Sequence, residues 1–180
     1  MEAGERLRLF VALLLPDEAI TSLVQWQAAE LAGRPGLRAV PAENLHVTVA
    51  FLGGRPAGDV EKIAGLLRET AAAARPPVFE PVRYRETRSV GMIVLDDYEQ
   101  RGAWLAERIF DGLEELGVYQ REQREWLPHV TVARFRDRPR LSPPLPPLER
   151  VMSSEVAVMM SRLRPSGAEY EILESASLGG

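Results

Sequence analysis

The sequence predicts an α+β fold in a single domain spanning residues 1–180. Three observations carry this: strand-like apolar runs alternate irregularly with helical stretches, the last two runs flank a Pro165-Ser166-Gly167 turn as a hairpin does, and no linker divides the chain. A length of 180 residues suffices for one sizeable core or two small lobes sharing an interface.

Taken in order, Arg6 to Leu15 is an apolar run ended by Pro16, the pattern of a strand buried on both faces. Asp17 and Glu18 open a helix to about Leu31, with Ile20, Leu23, Val24, Gln27 and Leu31 near helical spacing. A short extended piece from Leu37 to Val40 leads to a strand from Leu45 to Leu52, closed by Gly53-Gly54. Residues 58–74 read as a helix striped by Val60, Ile63, Leu66 and Leu67. Strands follow at Val78 to Arg85 and Val90 to Leu95, then an amphipathic helix over 99–116 and a strand from His129 to Phe135. Arg138 to Pro147 holds five prolines and no period, so it is a rigid surface loop. Val151 to Ser161 and Ala168 to Glu174 form the closing hairpin.

Composition narrows the function. There are no cysteines, which removes disulfides, thiolate nucleophiles and cysteine-ligated metals and accords with a reducing cytoplasm. Nothing approaches the roughly 20 apolar residues of a membrane helix, so no membrane association is expected. A net charge of −4 argues against wholesale tracking of phosphates, although a local basic groove remains open to the chain. Lys62 is the sole lysine among 22 cationic residues; the remainder are arginines, suited to bidentate phosphate contacts and also favoured by a GC-rich genome.

The chain has two histidines, and each opens the same pentapeptide: His46-Val47-Thr48-Val49-Ala50 and His129-Val130-Thr131-Val132-Ala133. An identical repeat suggests two copies of one structural unit. Alternation along a strand puts each His and Thr on one face and the valines on the other. The valines belong in a core, so two His/Thr faces meeting at a cleft would gather two imidazoles and two hydroxyls. That set suits in-line displacement at phosphorus: one imidazole accepts a proton from the attacking hydroxyl, the other donates to the leaving oxygen, and the threonines serve the non-bridging oxygens. No metal site is expected, since neither pentapeptide contains Asp or Glu.

With these motifs the sequence resembles the 2H phosphoesterase superfamily and, within it, the bacterial and archaeal RNA 2′,3′-cyclic phosphodiesterases, also called 2′–5′ RNA ligases. The resemblance runs from the opening strand at Arg6-Leu7 through Asn44-Leu45-His46-Val47-Thr48-Val49-Ala50-Phe51-Leu52-Gly53 and Pro128-His129-Val130-Thr131-Val132-Ala133-Arg134 to Ser161-Arg162-Leu163 and Gly167-Ala168-Glu169-Tyr170. It implies a bilobal, pseudo-two-fold α+β fold, two antiparallel sheets facing a central groove with helices outside. It also implies hydrolysis of RNA 2′,3′-cyclic phosphate ends to 2′-phosphates without a cofactor, weak reversible 2′–5′ ligation of tRNA halves, and action as a monomer. The repeat does not choose between the histidines; the resemblance assigns His46 as donor and His129 as acceptor.

Two further residues are candidate substrate contacts. Phe10 could stack on a base or belong to the core. Arg134 could pair with phosphate, but strict alternation puts it opposite His129, so it needs a bulge or the strand's end to reach the groove. Arg136, Arg138 and Arg140 are placed to attract RNA from the rim or to form a solvated edge. Two readings compete: a phosphodiesterase for a small nucleotide, and an RNA-binding module without turnover.

Overall fold

The computed structural model describes residues 4–179. It contains strands β1 (Arg6–Leu14), β2 (Leu37–Ala39), β3 (His46–Pro56), β4 (Val78–Glu86), β5 (Val90–Asp97), β6 (His129–Phe135), β7 (Val151–Met152), β8 (Glu155–Arg164) and β9 (Gly167–Ser177). Helices are α1 (Asp17–Glu30), α2 (Asp59–Ala73) and α3 (Arg101–Glu115). The α+β class read from the sequence is the class observed, and the expected elements are present, except that the run read as one strand from Val151 to Ser161 is broken into β7, which pairs with β4, and β8, which pairs with β1 and β9.

The two antiparallel sheets expected to face a central groove are joined edge to edge in one nine-stranded sheet. All pairings are antiparallel, and the hydrogen-bonded order is β7-β4-β5-β6-β3-β1-β8-β9. The repeat-bearing strands β3 and β6 are the central neighbours, linked by the single pair Val47–Val130. Beyond it β3 splays away, and β2 takes the edge of β6 that β3 vacates, pairing Leu37–Ala39 with Ala133–Phe135. A sheet that twists strand by strand cannot stay flat over this width. Here it curls, with α1, α2 and α3 against one face.

The main core lies between that face and the helices. Val47, Val130 and Val132 are almost fully buried in it, with Leu23, Ile63, Leu67, Leu105 and Ile109 opposite. A second, smaller apolar cluster of Phe10, Ala12, Ala157 and Met159 sits on the other face of β1 and β8, with Tyr170 packed against it.

Gly53-Gly54, read as the end of a strand, lies inside one. β3 runs on to Pro56 because Leu52 is an extra residue opposite β1, with Leu9 facing Gly53 and Phe10 facing Phe51. Gly53 has φ of 67°, a left-handed conformation that glycine adopts without steric cost. The proline-rich loop is held by the Glu86 carboxylate, which accepts from the backbone N–H of Arg140 and Leu141 and pairs with Arg138 at 3.2 Å.

Candidate active site

Both copies of the pentapeptide leave strict alternation at the same place. On β6, Thr131 faces Met92 and Ala133 faces Gly91, so Val132 is an extra residue. On β3, Thr48 faces Ala12 and Ala50 faces Val11, so Val49 is the extra residue. Each bulge resets the face parity. Ala50 and Ala133 therefore turn into the core, and the next residues, Phe51 and Arg134, turn to the face of the histidines. The bulge that Arg134 required is present. Its carbonyl, Val132 O, accepts from Val40 N–H at 3.0 Å and from the buried Gln27 amide at 2.8 Å. That amide also donates to Val40 O at 2.9 Å. Gln27 is thus the polar member of an otherwise apolar helix face.

Antiparallel register about Val47–Val130 crosses the motifs, setting His46 beside Thr131 and Thr48 beside His129. These four side chains line one pocket of about 140 Å3, together with Asn44, Phe51, Arg134 and Tyr170. Both imidazoles are held in the same tautomer. His46 Nδ1 donates to Asn44 O at 2.8 Å, and His129 Nδ1 donates to Leu127 O at 2.8 Å. A carbonyl can only accept, so each Nδ1 carries its hydrogen and each Nε2 is left with a lone pair. His46 Nε2 accepts from the Thr48 hydroxyl at 2.9 Å.

The surroundings of His46 are aromatic. Phe10 lies 5.1 Å from its ring, and Tyr170 lies 5.5 Å away, edge-on. Burial pushes the His46 imidazole down from 6.5 to about 4; the Asn44 carbonyl opposes this, while His129 and Arg134 add to it.

Phe10 is only 3% exposed and is not among the residues that line the pocket. It packs behind His46, because β1 is flanked by β3 and β8 and its groove-side face is covered by Tyr170. The ring open to a base is Phe51, 66% exposed.

Arg134 faces Arg38 directly across the β2–β6 pairing, and both line the pocket. Like charges at directly paired positions repel. Among the described residues neither guanidinium forms an ion pair, and Arg38 donates to Ser166 O at 3.3 Å. An anion between them would relieve the repulsion. Arg138, by contrast, is engaged by Glu86 and fastens its loop.

Known proteins resemble this chain along most of its length. Residues 13–83, which include the first pentapeptide, match the family model described as LigT like Phosphoesterase. The chain is 31% identical over 183 residues to a Thermus thermophilus protein named RNA 2′,3′-cyclic phosphodiesterase, covering 97% of this chain and 91% of the relative. The chain belongs to the LigT-like phosphoesterase family. Other relatives of the same name come from Archaeoglobus fulgidus, 30% identical over 93% of this chain and 98% of the relative, and Escherichia coli, 32% identical over 73% of each. Among solved structures, one from Thermus thermophilus superposes with a TM-score of 0.82 at 28% identity, covering 96% of this chain and 98% of that one. The apo structure of Escherichia coli LigT superposes at 0.77 with 24% identity, covering 98% and 100%, and speaks to the fold. As a LigT-like phosphoesterase the protein is a hydrolase.

Four pocket residues were not singled out as substrate contacts in the sequence: Arg38, Asn44, Phe51 and Tyr170. Phe51 had a usable signal, since it holds the place that Arg134 holds after the second pentapeptide. Arg38 arrives through strand pairing and Tyr170 on a hairpin, which leave no local pattern, while Asn44 ends a short turn two residues before His46.

Proposed function

We propose that this phosphoesterase hydrolyses RNA 2′,3′-cyclic phosphate ends to 2′-phosphates, using His46 and His129 as a proton-transferring pair without a metal. One observation carries the reading: the Val47–Val130 pairing brings two identically oriented imidazoles, each with a free Nε2 lone pair or one bound only to threonine, to a single pocket. The names of the relatives support the substrate.

In the proposed step His129 Nε2 takes a proton from water as the water oxygen bonds to phosphorus. The P–O3′ bond breaks, and protonated His46 Nε2 delivers its proton to O3′. Thr48 and Thr131 donate to the non-bridging oxygens, and Arg38 and Arg134 flank the anion. Burial disfavours the charged form of His46 in the empty pocket, so it gains its proton together with the phosphate, whose negative charge offsets the cost. A 5′-hydroxyl in place of water makes the same step a 2′–5′ joining of RNA ends, tRNA halves among them. Every group named comes from one chain, so the proposed working unit is a monomer.

The test is a 2′,3′-cyclic-phosphate oligonucleotide incubated with EDTA and wild type, His46→Ala or His129→Ala. The expected result is activity unaffected by chelator and a loss of about 10²–10⁴-fold in each variant. Activity abolished by EDTA, or untouched in either variant, refutes the mechanism. With a nitrophenyl phosphodiester, whose leaving group needs no proton, His46→Ala should lose far less than His129→Ala; the reverse would exchange the two roles.

A further inference from the structure

Beside the catalytic pocket lies a larger cavity of about 330 Å3 that the hydrolytic step leaves unused. Thr48, Phe51 and His129 line both spaces, whereas His46 and Thr131 line only the smaller one. The cavity therefore opens on the His129 side of the phosphate. In-line displacement puts the attacking and leaving oxygens on opposite sides of phosphorus. With His129 accepting the proton, the attacking hydroxyl comes from the cavity. A water molecule occupies only about 30 Å3 of liquid. Roughly ten times that volume, placed where the nucleophile enters, has room for a nucleophile that is part of something larger.

The walls indicate what that is. Phe110 and Tyr119 stack with centroids 5.6 Å apart and 27° between planes. Arg121 lies 5.4 Å over Phe110, bound by Glu107, Asp111 and Glu114. Arg124 pairs with Glu122. These arginines are already matched by carboxylates, so the cavity offers aromatic surface and close to balanced charge. That environment suits a flat, uncharged ring system and gives a phosphate group little reward. A nucleoside ending in a free 5′-hydroxyl has both properties: an aromatic base, and no phosphate at the end that enters.

We propose that this cavity is an acceptor site, holding the 5′-terminal nucleoside of a second RNA strand with its 5′-hydroxyl toward His129. Exposed Arg85 on β4, at the cavity's margin, meets the phosphodiester that follows that nucleoside. The inference rests on the proposed function and on its donor and acceptor roles. In the transfer the 5′-oxygen bonds to phosphorus and its proton passes to His129 Nε2, while the P–O3′ bond breaks and O3′ takes the proton of His46. One P–O bond is exchanged for another, so the products balance without a further reactant.

The experiment presents a nucleoside 2′,3′-cyclic phosphate together with a millimolar 5′-hydroxyl acceptor, either adenosine or a short oligoadenylate. It reads the ratio of 2′–5′-linked product to 2′-phosphate. Tyr119→Ala should lower that ratio about tenfold with both acceptors, and Arg85→Glu only with the oligonucleotide, while hydrolysis stays within about twofold in each. Should Tyr119→Ala reduce hydrolysis and transfer equally through loss of folding, Arg85→Glu decides. No transfer product from wild type, or ratios unchanged in both variants, overturns the acceptor site and leaves hydrolysis standing. A wild type without hydrolysis of the cyclic phosphate overturns the functional reading itself.

Discussion

His46 is one half of a matched pair in sequence and the odd partner in its surroundings. Both histidines share a pentapeptide and a tautomer, but only His46 packs against the paired rings of Phe10 and Tyr170. Removing the outer ring should let water in. In Tyr170→Ala the His46 pKa should climb from about 4 toward 6.5, read by NMR titration of the imidazole; an unchanged value would mean that the strand, not the ring, keeps it dry. The depressed pKa also has a stability consequence with a definite sign. Between pH 6.5 and about 4 the unfolded chain takes up a proton that the folded chain refuses, so stability falls as pH falls through that window. The urea midpoint should drop less in His46→Gln than in wild type over the same range, and parallel slopes would contradict this. At this scale the sequence displayed the chemistry and hid the setting. The imidazoles and hydroxyls stand in an identical repeat, whereas Phe10, one residue in an apolar run, gives no hint that it lies behind a catalytic candidate.

At the scale of elements, the strands were legible from apolar runs and turn residues, and the bulges were not. A period-two reading assumes that every residue advances the face by one step, so an extra residue such as Val49 or Val132 changes the outcome for everything after it. The sequence could state only that Arg134 needed a bulge. What maintains that bulge is Gln27 on α1, whose role is set by tertiary contact. Gln27→Leu leaves the Val132 carbonyl with Val40 N–H as its remaining donor and removes the amide that donates to Val40 O, and should cost roughly 1–3 kcal/mol in denaturant unfolding. It should also weaken turnover through Arg134. The double variant Gln27→Leu/Arg134→Ala should then be no less active than Arg134→Ala alone; strictly multiplicative losses would show that the two residues act independently.

Across the whole molecule, charge and topology set the behaviour. The chain carries net −4, and among the described residues the cations at the pocket without an ion-pair partner are Arg38 and Arg134. Engaging one or two phosphates should give a plot of log kcat/KM against log salt with a slope of about −0.7 to −1.4. A slope several times steeper, measured with a cyclic-phosphate oligonucleotide across a sodium chloride series, would point to a longer basic track. The sequence announced two units by repeating a pentapeptide, but not that the units interleave. One side of the sheet is β3, β1, β8 and β9, and the other is β2, β4, β5, β6 and β7, so the chain passes between sides four times before it is complete. Long-range pairings of this kind form late because distant segments must first meet. The hairpin of β8 and β9 supplies Ala168, whose carbonyl accepts from the Asn44 amide at 2.8 Å, and Tyr170, which covers His46. During synthesis both histidines are therefore made before the wall beside the first of them. A product stopped ahead of Glu155 would carry both histidines and both threonines of the proposed mechanism without the β8–β9 wall beside His46.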